Sequence, residues 1–296
     1  MTTQHALLGL MTETSLHAGA GSAAGTIDLP IQREAHTGWP CVYGSAVKGA
    51  LRARAEDQKE DHLDLVFGPD TTRAHEHAGA LTTGDARLLL LPVRSLTGYF
   101  RHVTCPAILY RLERDMKRLE LKHDPLPLVL KQLDKKENQL LALTAGPAGL
   151  ALFLEELRFK TTHTPELQAL ASWLAELLGC DQARLGERLV VVNDDWFCSL
   201  ADNATPIAAH IRINNQRKTV DAGALWYEET LPPETGLYVA LAANDGRGDK
   251  KELPAQAVLA AITEKLFGRK PYLQIGGNET LGMGWCRVKV TKGGAR

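Results

Sequence analysis

The stretch that decides the fold runs from His210 to Leu241, HIRINNQRKTVDAGALWYEETLPPETGLYVAL. Ile211 and Ile213 alternate with Arg212 and Asn214, the polar residues 215–221 turn the chain, and Leu225–Tyr227 return it. Period-two alternation interrupted by a polar turn is the signature of a β-hairpin, here with Arg212, Arg217 and Lys218 near its tip. Leu237–Leu241 reads as the next strand.

Working outward, Ala255–Leu266 has helical spacing, residues 274–284 form a glycine-rich loop, and Trp285–Val290 reads as a closing strand. Towards the N-terminus, residues 5–13 read as the first strand, and Gly44-Ser45 opens a helix over about 46–58 with Ser45 as its N-cap. Lys48 and Arg52 fall on one exposed flank of that helix. Ala86–Val93 reads as a strand closed by Pro92, residues 104–121 as an amphipathic helix, Leu150–Arg158 as a strand and Pro165–Leu178 as a helix. Strands and helices in this order predict an α+β fold with an antiparallel sheet rather than a doubly wound parallel one.

The 296 residues include 44% hydrophobic side chains, enough for a sizeable core. Lys and Arg total 34 against 35 Asp and Glu, a net charge of −1. That balance lacks the basic excess of a free-standing nucleic-acid binder, so any RNA contact must come from local patches or from neighbouring subunits. No apolar run approaches the roughly 20 residues of a membrane span, and residues 1–15 carry no signal-peptide pattern, so a cytoplasmic location with no membrane is expected. The five cysteines lack any C-x-x-C pair, which suggests free thiols rather than a zinc site or a disulfide framework.

Several residues could carry chemistry. Asp28, in Gly25-Thr-Ile-Asp-Leu-Pro30, is expected in a loop beside the first strand, where it could bind a divalent metal, take a proton from a ribose hydroxyl, or simply cap a turn. One carboxylate is a poor magnesium site, so substrate phosphates and water would have to complete the coordination. His17 could act as acid, base or phosphate contact. Of the adjacent Glu228 and Glu229, at most one should face a given substrate, because neighbouring strand residues point to opposite faces. Gly276, Gly277, Gly282 and Gly284 either cradle a phosphate with their N–H groups or form a structural turn; Ser45, Lys48 and Arg52 form a second phosphate-binding candidate. No Walker or dinucleotide pattern is present, which argues against an ATP- or NAD-using enzyme.

Three blocks then acquire a common meaning. Leu16-His-Ala-Gly, Ile27-Asp-Leu-Pro-Ile-Gln-Arg-Glu34, His36-Thr-Gly-Trp-Pro40, Gly44-Ser45 and Lys48-Gly-Ala-Leu-Arg52 closely resemble the backbone subunits of type III-B CRISPR (Cmr) complexes, within the repeat-associated mysterious protein (RAMP) superfamily. Gly223-Ala-Leu-Trp-Tyr-Glu-Glu-Thr-Leu-Pro232 and Gly276-Gly-Asn-Glu-Thr-Leu-Gly-Met-Gly-Trp285 are similar to the same family. The likeness extends from first strand to last.

The resemblance implies one domain over 1–296: a ferredoxin-like, RNA-recognition-like palm, a mainly helical insertion at about 54–150 and a β-hairpin thumb at 204–228. It implies stacking of several copies along a CRISPR guide RNA, each thumb wedging into the guide–target duplex, and cleavage of complementary target RNA at six-nucleotide intervals. The family's active aspartate falls on Asp28, its basic helix on Lys48 and Arg52, and an acidic residue after the thumb on Glu228 or Glu229. Where the superfamily's glycine-rich loop often carries a basic residue, Met283 stands here. The implied cofactor is a divalent metal, Mg2+ or Mn2+, held partly by substrate phosphates. The implied partners are guide RNA, target RNA, further copies of the chain and the other Cmr subunits: the large polymerase-like one, the small helical one and those capping the guide ends. The expected chemistry is attack by the target's own 2′-hydroxyl, leaving a 2′,3′-cyclic phosphate. Two alternatives stand beside it, a filament subunit that holds RNA without cutting and a guide-processing endoribonuclease of the same superfamily.

Overall fold

The computed structural model describes residues 3–22, 25–70, 72–133, 141–145, 151–246 and 253–293. The chain begins with β1 (Gln4–Thr12), whose residues from Ala6 onward are buried because layers cover both of its faces. After a long loop come β2 (Cys41–Val42), α1 (Gly44–Asp57), α2 (Leu63–Phe67), β3 (Leu81–Ser95) and β4 (Tyr99–Thr104). Next are α3 (Pro106–Arg118), α4 (Leu126–Leu133), β5 (Leu141–Thr144), β6 (Ala151–Leu154) and β7 (Leu157–His163). Then α5 (Glu166–Leu178), α6 (Gln182–Arg188), β8 (Leu189–Val191) and α7 (Asp194–Asn203) lead to the hairpin of β9 (Ile207–Ile213) and β10 (Val220–Glu229). The chain ends with β11 (Gly236–Ala243), α8 (Ala255–Ala260) continued by a π-helical stretch Ala261–Leu266, β12 (Tyr272–Gln274) and β13 (Trp285–Lys292).

These strands make a large, mostly antiparallel sheet in the order β12-β13-β1-β11-β3-β4-β8-β5-β7-β6, with β2 added against β3. Among the described residues, only the β4–β8 and β5–β7 pairings of this sheet are parallel. The 15-residue β3 joins the two halves: Leu81–Leu90 pair with β11, and Leu91–Ser95 pair with β4. The run Leu88–Leu91 is fully buried, as a central strand covered on both faces requires. Helix α5 packs on β1, β11 and β13, while α8 packs on β1 and β11. Asp115 of α3 accepts from Arg87 at 2.7 Å and from the Tyr238 hydroxyl at 2.8 Å, tying α3 to β3 and β11.

The α+β, largely antiparallel reading therefore holds, and three local expectations change. Pro92 does not close its strand; β11 has already left β3 at Leu90, so the missing N–H breaks no ladder on that side. Leu150–Arg158 is not one strand: β6 and β7 form a tight hairpin turning at Glu155, which has φ +50°, and Leu150 itself lies outside the described residues. Among its described residues the range 54–150 is mixed rather than mainly helical, since β3, β4 and β5 lie within it beside α2, α3 and α4.

At Gly9 the β1 backbone meets α5 directly; a Cβ there would lie 1.9 Å from the Leu177 carbonyl oxygen. Gly9→Ala should therefore lower the unfolding free energy by about 1–3 kcal/mol through overpacking. The exposed helical Gly49, where a Cβ meets nothing, should gain roughly 0.5–1 kcal/mol as Ala. Urea denaturation of both variants checks the contrast.

Candidate active site

The loop between β1 and β2 is pinned where apolar side chains sink into the core. Leu16 and Ile31 are buried, and Leu16 bridges Leu231 just after β10. The loop then closes on itself: Ala20 donates to the Pro30 carbonyl at 2.9 Å and Gln32 to that of Ala18 at 2.8 Å. Its outgoing limb runs parallel to the end of β10. The Leu29 N–H donates to the Tyr227 carbonyl and the Glu229 N–H to the Leu29 carbonyl, both at 3.0 Å. Asp28 thereby lands on the exposed side of the hairpin root, where its Oδ2 accepts the Tyr227 N–H at 2.8 Å. Oδ1 accepts no hydrogen bond among the described residues.

The two glutamates have opposite surroundings. Glu229 is 3% exposed and saturated: Oε1 accepts from Arg33 at 2.6 Å and Thr205 at 2.7 Å, and Oε2 accepts the Ile31 N–H at 3.1 Å. The same guanidinium also donates to the Gly38 and Ala201 carbonyls. A carboxylate so committed is an anchor, and the expectation that Glu229 might serve catalysis is set aside on that ground. Glu228 points to the other hairpin face, beside the His17 ring (Nδ1 to Oε1 3.7 Å) and the Asn278 amide, whose Nδ2 donates to Oε1 at 2.5 Å. His17 Nδ1 lies 2.7 Å from the Glu229 carbonyl oxygen, which can only accept, so Nδ1 carries a proton. In the neutral ring Nε2 is then the free acceptor. Asp28, His17 and Glu228 are thus gathered at one hairpin root.

The glycine-rich loop has a different role from phosphate cradling. The Gly277 N–H donates to the His17 carbonyl, that of Gly284 to the Ser15 carbonyl and that of Gly282 to the Glu279 carbonyl, each at 2.8 Å. Three of the four candidate N–H donors are therefore spent inside the protein. Gly276, at φ +85°, lets the loop approach so closely that a Cβ would sit 2.4 Å from the His17 carbonyl oxygen. These glycines press the loop against the His17 segment and bring Asn278 to Glu228.

Helix α1 also departs from expectation. Ser45 is not its N-cap; Tyr43 holds that position without a side-chain bond, and the Gly44 N–H is taken by the Asp85 carboxylate at 2.7 Å. Ser45 lies exposed in the first turn. Arg52 is committed locally, to Glu56 and the Gly68 carbonyl at 2.8 Å each. Lys48 is half-buried with no carboxylate partner among the described residues, and burial followed by the nearby Arg52 lowers its pKa from the ordinary lysine value. It is the cation of this helix left for an anion. Gln32 links α1 to the Asp28 loop by accepting the Tyr43 N–H at 2.6 Å. On the hairpin, Arg212 is exposed and pairs with Asp221 at 3.1 Å, while Arg217 and Lys218 are exposed at the turn.

No group of three or more metal-ligating side chains occurs among the described residues. A divalent ion would fit only as a shared one, with Asp28 giving an oxygen and the substrate most of the rest. Thiolate chemistry is disfavoured, since burial pushes the Cys41 and Cys180 thiols up to about 11 and Cys286 to about 12. No helix among the described residues is long and apolar enough to cross a membrane.

Arg33 and Asn278 had escaped notice in the sequence. The signal for Asn278 was an asparagine directly after Gly-Gly, since asparagine tolerates the left-handed backbone it adopts here at φ +59°. Arg33 had no local signal, as its partner lies 196 residues away.

A sheet with a projecting hairpin and an acidic loop at its root fits the class that the RAMP superfamily model describes, and that model matches residues 10–287. The chain belongs to this superfamily, in its Cmr4 family. A Pyrococcus furiosus relative, the "CRISPR system Cmr endoribonuclease Cmr4", is 35% identical over 290 residues, covering 96% of this chain and 95% of its own. The Saccharolobus solfataricus "CRISPR system CMR subunit Cmr4" is 23% identical, covering 93% of each chain. Among solved structures, oligomeric Cmr4 from Pyrococcus furiosus superposes with a TM-score of 0.73 at 26% identity, over 99% of this chain and 100% of that one. A chain of the type III-B Cmr-beta complex bound to cognate target RNA shares the fold, with a TM-score of 0.75 at 22% identity over 98% of this chain and 97% of that one.

The unlike glutamates should separate in stability. Glu229→Ala strands Arg33 and the Ile31 N–H and should cost about 3–5 kcal/mol. Glu228→Ala, although buried, strands only the Asn278 amide and the side of the His17 ring, and should cost less, about 1–2 kcal/mol. Urea midpoints of the two variants measure the difference.

Proposed function

We propose that this chain is the RNA-holding backbone subunit of a type III-B effector complex and that it cuts guide-paired target RNA with Asp28. The observation that carries this reading is the exposed Asp28 carboxylate, fixed by the Tyr227 N–H at the hairpin root beside His17 and Glu228, in a relative of a Cmr endoribonuclease. The large sheet with its helices is the palm of a single domain, and the β9–β10 hairpin is the thumb. Copies of the chain stack along the guide RNA with the other Cmr subunits, as the oligomeric relative and the target-bound complex support. The site belongs to the cytoplasm, where guide and invading transcript meet.

The hairpin explains how such a subunit reaches a target strand. Ile211 pairs with Leu225 and Ile213 with Val220 across one face, all about half exposed, so the thumb offers apolar side chains to bases. Wedged into the guide–target duplex, it unstacks a base pair at a cost of a few kcal/mol and splays the target backbone. Lys48, Arg217 and Lys218 supply cations for phosphates without reading sequence, which base pairing provides.

In the reaction, the target's 2′-oxygen attacks the adjacent phosphorus as the bond to the 5′-oxygen breaks. The products are a 2′,3′-cyclic phosphate and a 5′-hydroxyl. The 2′-hydroxyl proton passes to a protein acceptor, either the free Asp28 oxygen or His17 Nε2, and the departing 5′-oxygen takes up a proton. A Mg2+ or Mn2+ ion shared between Asp28 and a target phosphate would neutralise charge building on the phosphoryl oxygens. The near-neutral net charge of −1 leaves a second reading, a subunit that holds RNA without cutting it.

Guide-loaded complex containing Asp28→Ala should cut an end-labelled complementary RNA at least about 100-fold more slowly, with target affinity within about twofold of wild type. The regularly spaced products of the wild-type complex should also vanish with an all-2′-deoxy target. Unchanged cleavage by the variant would move catalysis elsewhere and leave this chain as the holder.

A further inference from the structure

Asn278 sits at the tip of the glycine-rich loop in the left-handed backbone region, at φ +59°. Its own carbonyl closes the turn by accepting the Leu281 N–H at 2.9 Å and the Met283 N–H at 3.2 Å. The side-chain amide is thus free to face outward, and its nitrogen meets Glu228 Oε1 while lying 3.6 Å from Met283 Sδ. The amide nitrogen must face the carboxylate, because its oxygen there would set two acceptors against each other. Glu228 is 5% exposed, and among the described residues its carboxylate has Asn278 as hydrogen-bond donor and the His17 ring alongside. Its strand neighbour Glu229 by contrast has three donors. The direction of the Glu228 carboxylate, and the side on which it meets His17, therefore depend on one amide.

We propose that Asn278 is a positioning residue for cleavage: by donating to Glu228 it fixes that carboxylate against His17 at the hairpin root that Asp28 also borders. This rests on the reading of Asp28 and its neighbours as the cleavage site. The glycines of the loop then have a mechanical purpose. Gly276 and Gly277 let the loop press on the His17 backbone, and Asn278 rides on that contact into reach of Glu228. Loop, His17 segment and hairpin root are held in one relation, so a small displacement of the loop is passed to the reacting groups.

Two substitutions separate donor chemistry from loop shape. Asn278→Gly removes the side chain while keeping the left-handed backbone free of strain. Asn278→Asp keeps size and backbone tolerance but replaces the donor with an acceptor. In guide-loaded complex, single-turnover cleavage of end-labelled complementary RNA should slow by about 10–100-fold in Asn278→Gly and further in Asn278→Asp. Target affinity should stay within about twofold in both, which a general loosening of the loop would not give. In a Glu228→Gln background, Asn278→Gly should slow the reaction no further, because the two act as one unit. Wild-type rate in Asn278→Asp, or full additivity in the double variant, overturns the proposal. Asp28→Ala in the same preparation divides the failures. Full cleavage there overturns the site reading and this inference with it; lost cleavage there, with wild-type rate in Asn278→Asp, overturns this inference alone.

Discussion

Everything at the site depends on one buried carboxylate. Glu229 enters the protein with Arg33, Thr205 and the Ile31 N–H as its donors, two of them from the β1–β2 loop and one from the segment before β9. A buried ion pair contributes little net stability, because desolvation offsets most of the Coulomb attraction. Its effect is on register. Once Glu229 faces inward, strand alternation turns Glu228 to the opposite face, and the Leu29 ladder puts Asp28 beside Tyr227. The Glu229 carbonyl then receives His17 Nδ1, which orients the ring and fixes its tautomer. An anchor with no chemistry of its own therefore sets the direction of three groups that have some.

The same economy accounts for the neutral composition. Arg33, Arg54, Arg87, Arg111 and Arg287 all donate inward, to carbonyls or carboxylates that tie loops and helices to the sheet. Counting basic residues thus overstates the charge available to a phosphate chain. Of the basic residues singled out for RNA contact, Lys48, Arg217 and Lys218 carry no carboxylate partner among the described residues. Under the proposed stacking, copies would repeat those few contacts along one strand, and the affinity would be a property of the assembly.

Much of the frame was legible in the sequence because its signals are local. The first strand, the hairpin and helix α5 each fall within a few residues of where periodicity and turn residues put them. Pro92 misled because strand termination depends on which neighbour is present at that point, a fact of the sheet rather than of the residue. Asp28 could be singled out by its loop, yet which of Glu228 and Glu229 is the internal anchor could not. That choice is made by Arg33, which is remote in sequence from both glutamates, and no window spans the distance. The glycine-rich loop was visible but left open between phosphate cradle and structural turn, since glycine serves close approach to a carbonyl as readily as to a phosphate.

The hairpin brings the two requirements of such a subunit into contact. A two-stranded ribbon alone is marginal in water, and here β9 and β10 lose register between Val220 and Leu225, so pairing weakens towards the tip. At the base the situation reverses: Glu229 and Thr230 are buried, and the Thr230 N–H donates to the Pro206 carbonyl at 3.0 Å. The ribbon is therefore rigid where it carries Glu228 and adaptable where it carries Ile213, Val220 and the basic turn. On the proposed reading, residues that would hold reacting atoms lie at the rigid end and residues that would meet base pairs lie at the other. The placement of Arg217, Lys218 and Val220 at the turn and of Glu228 at the base is consistent with that division.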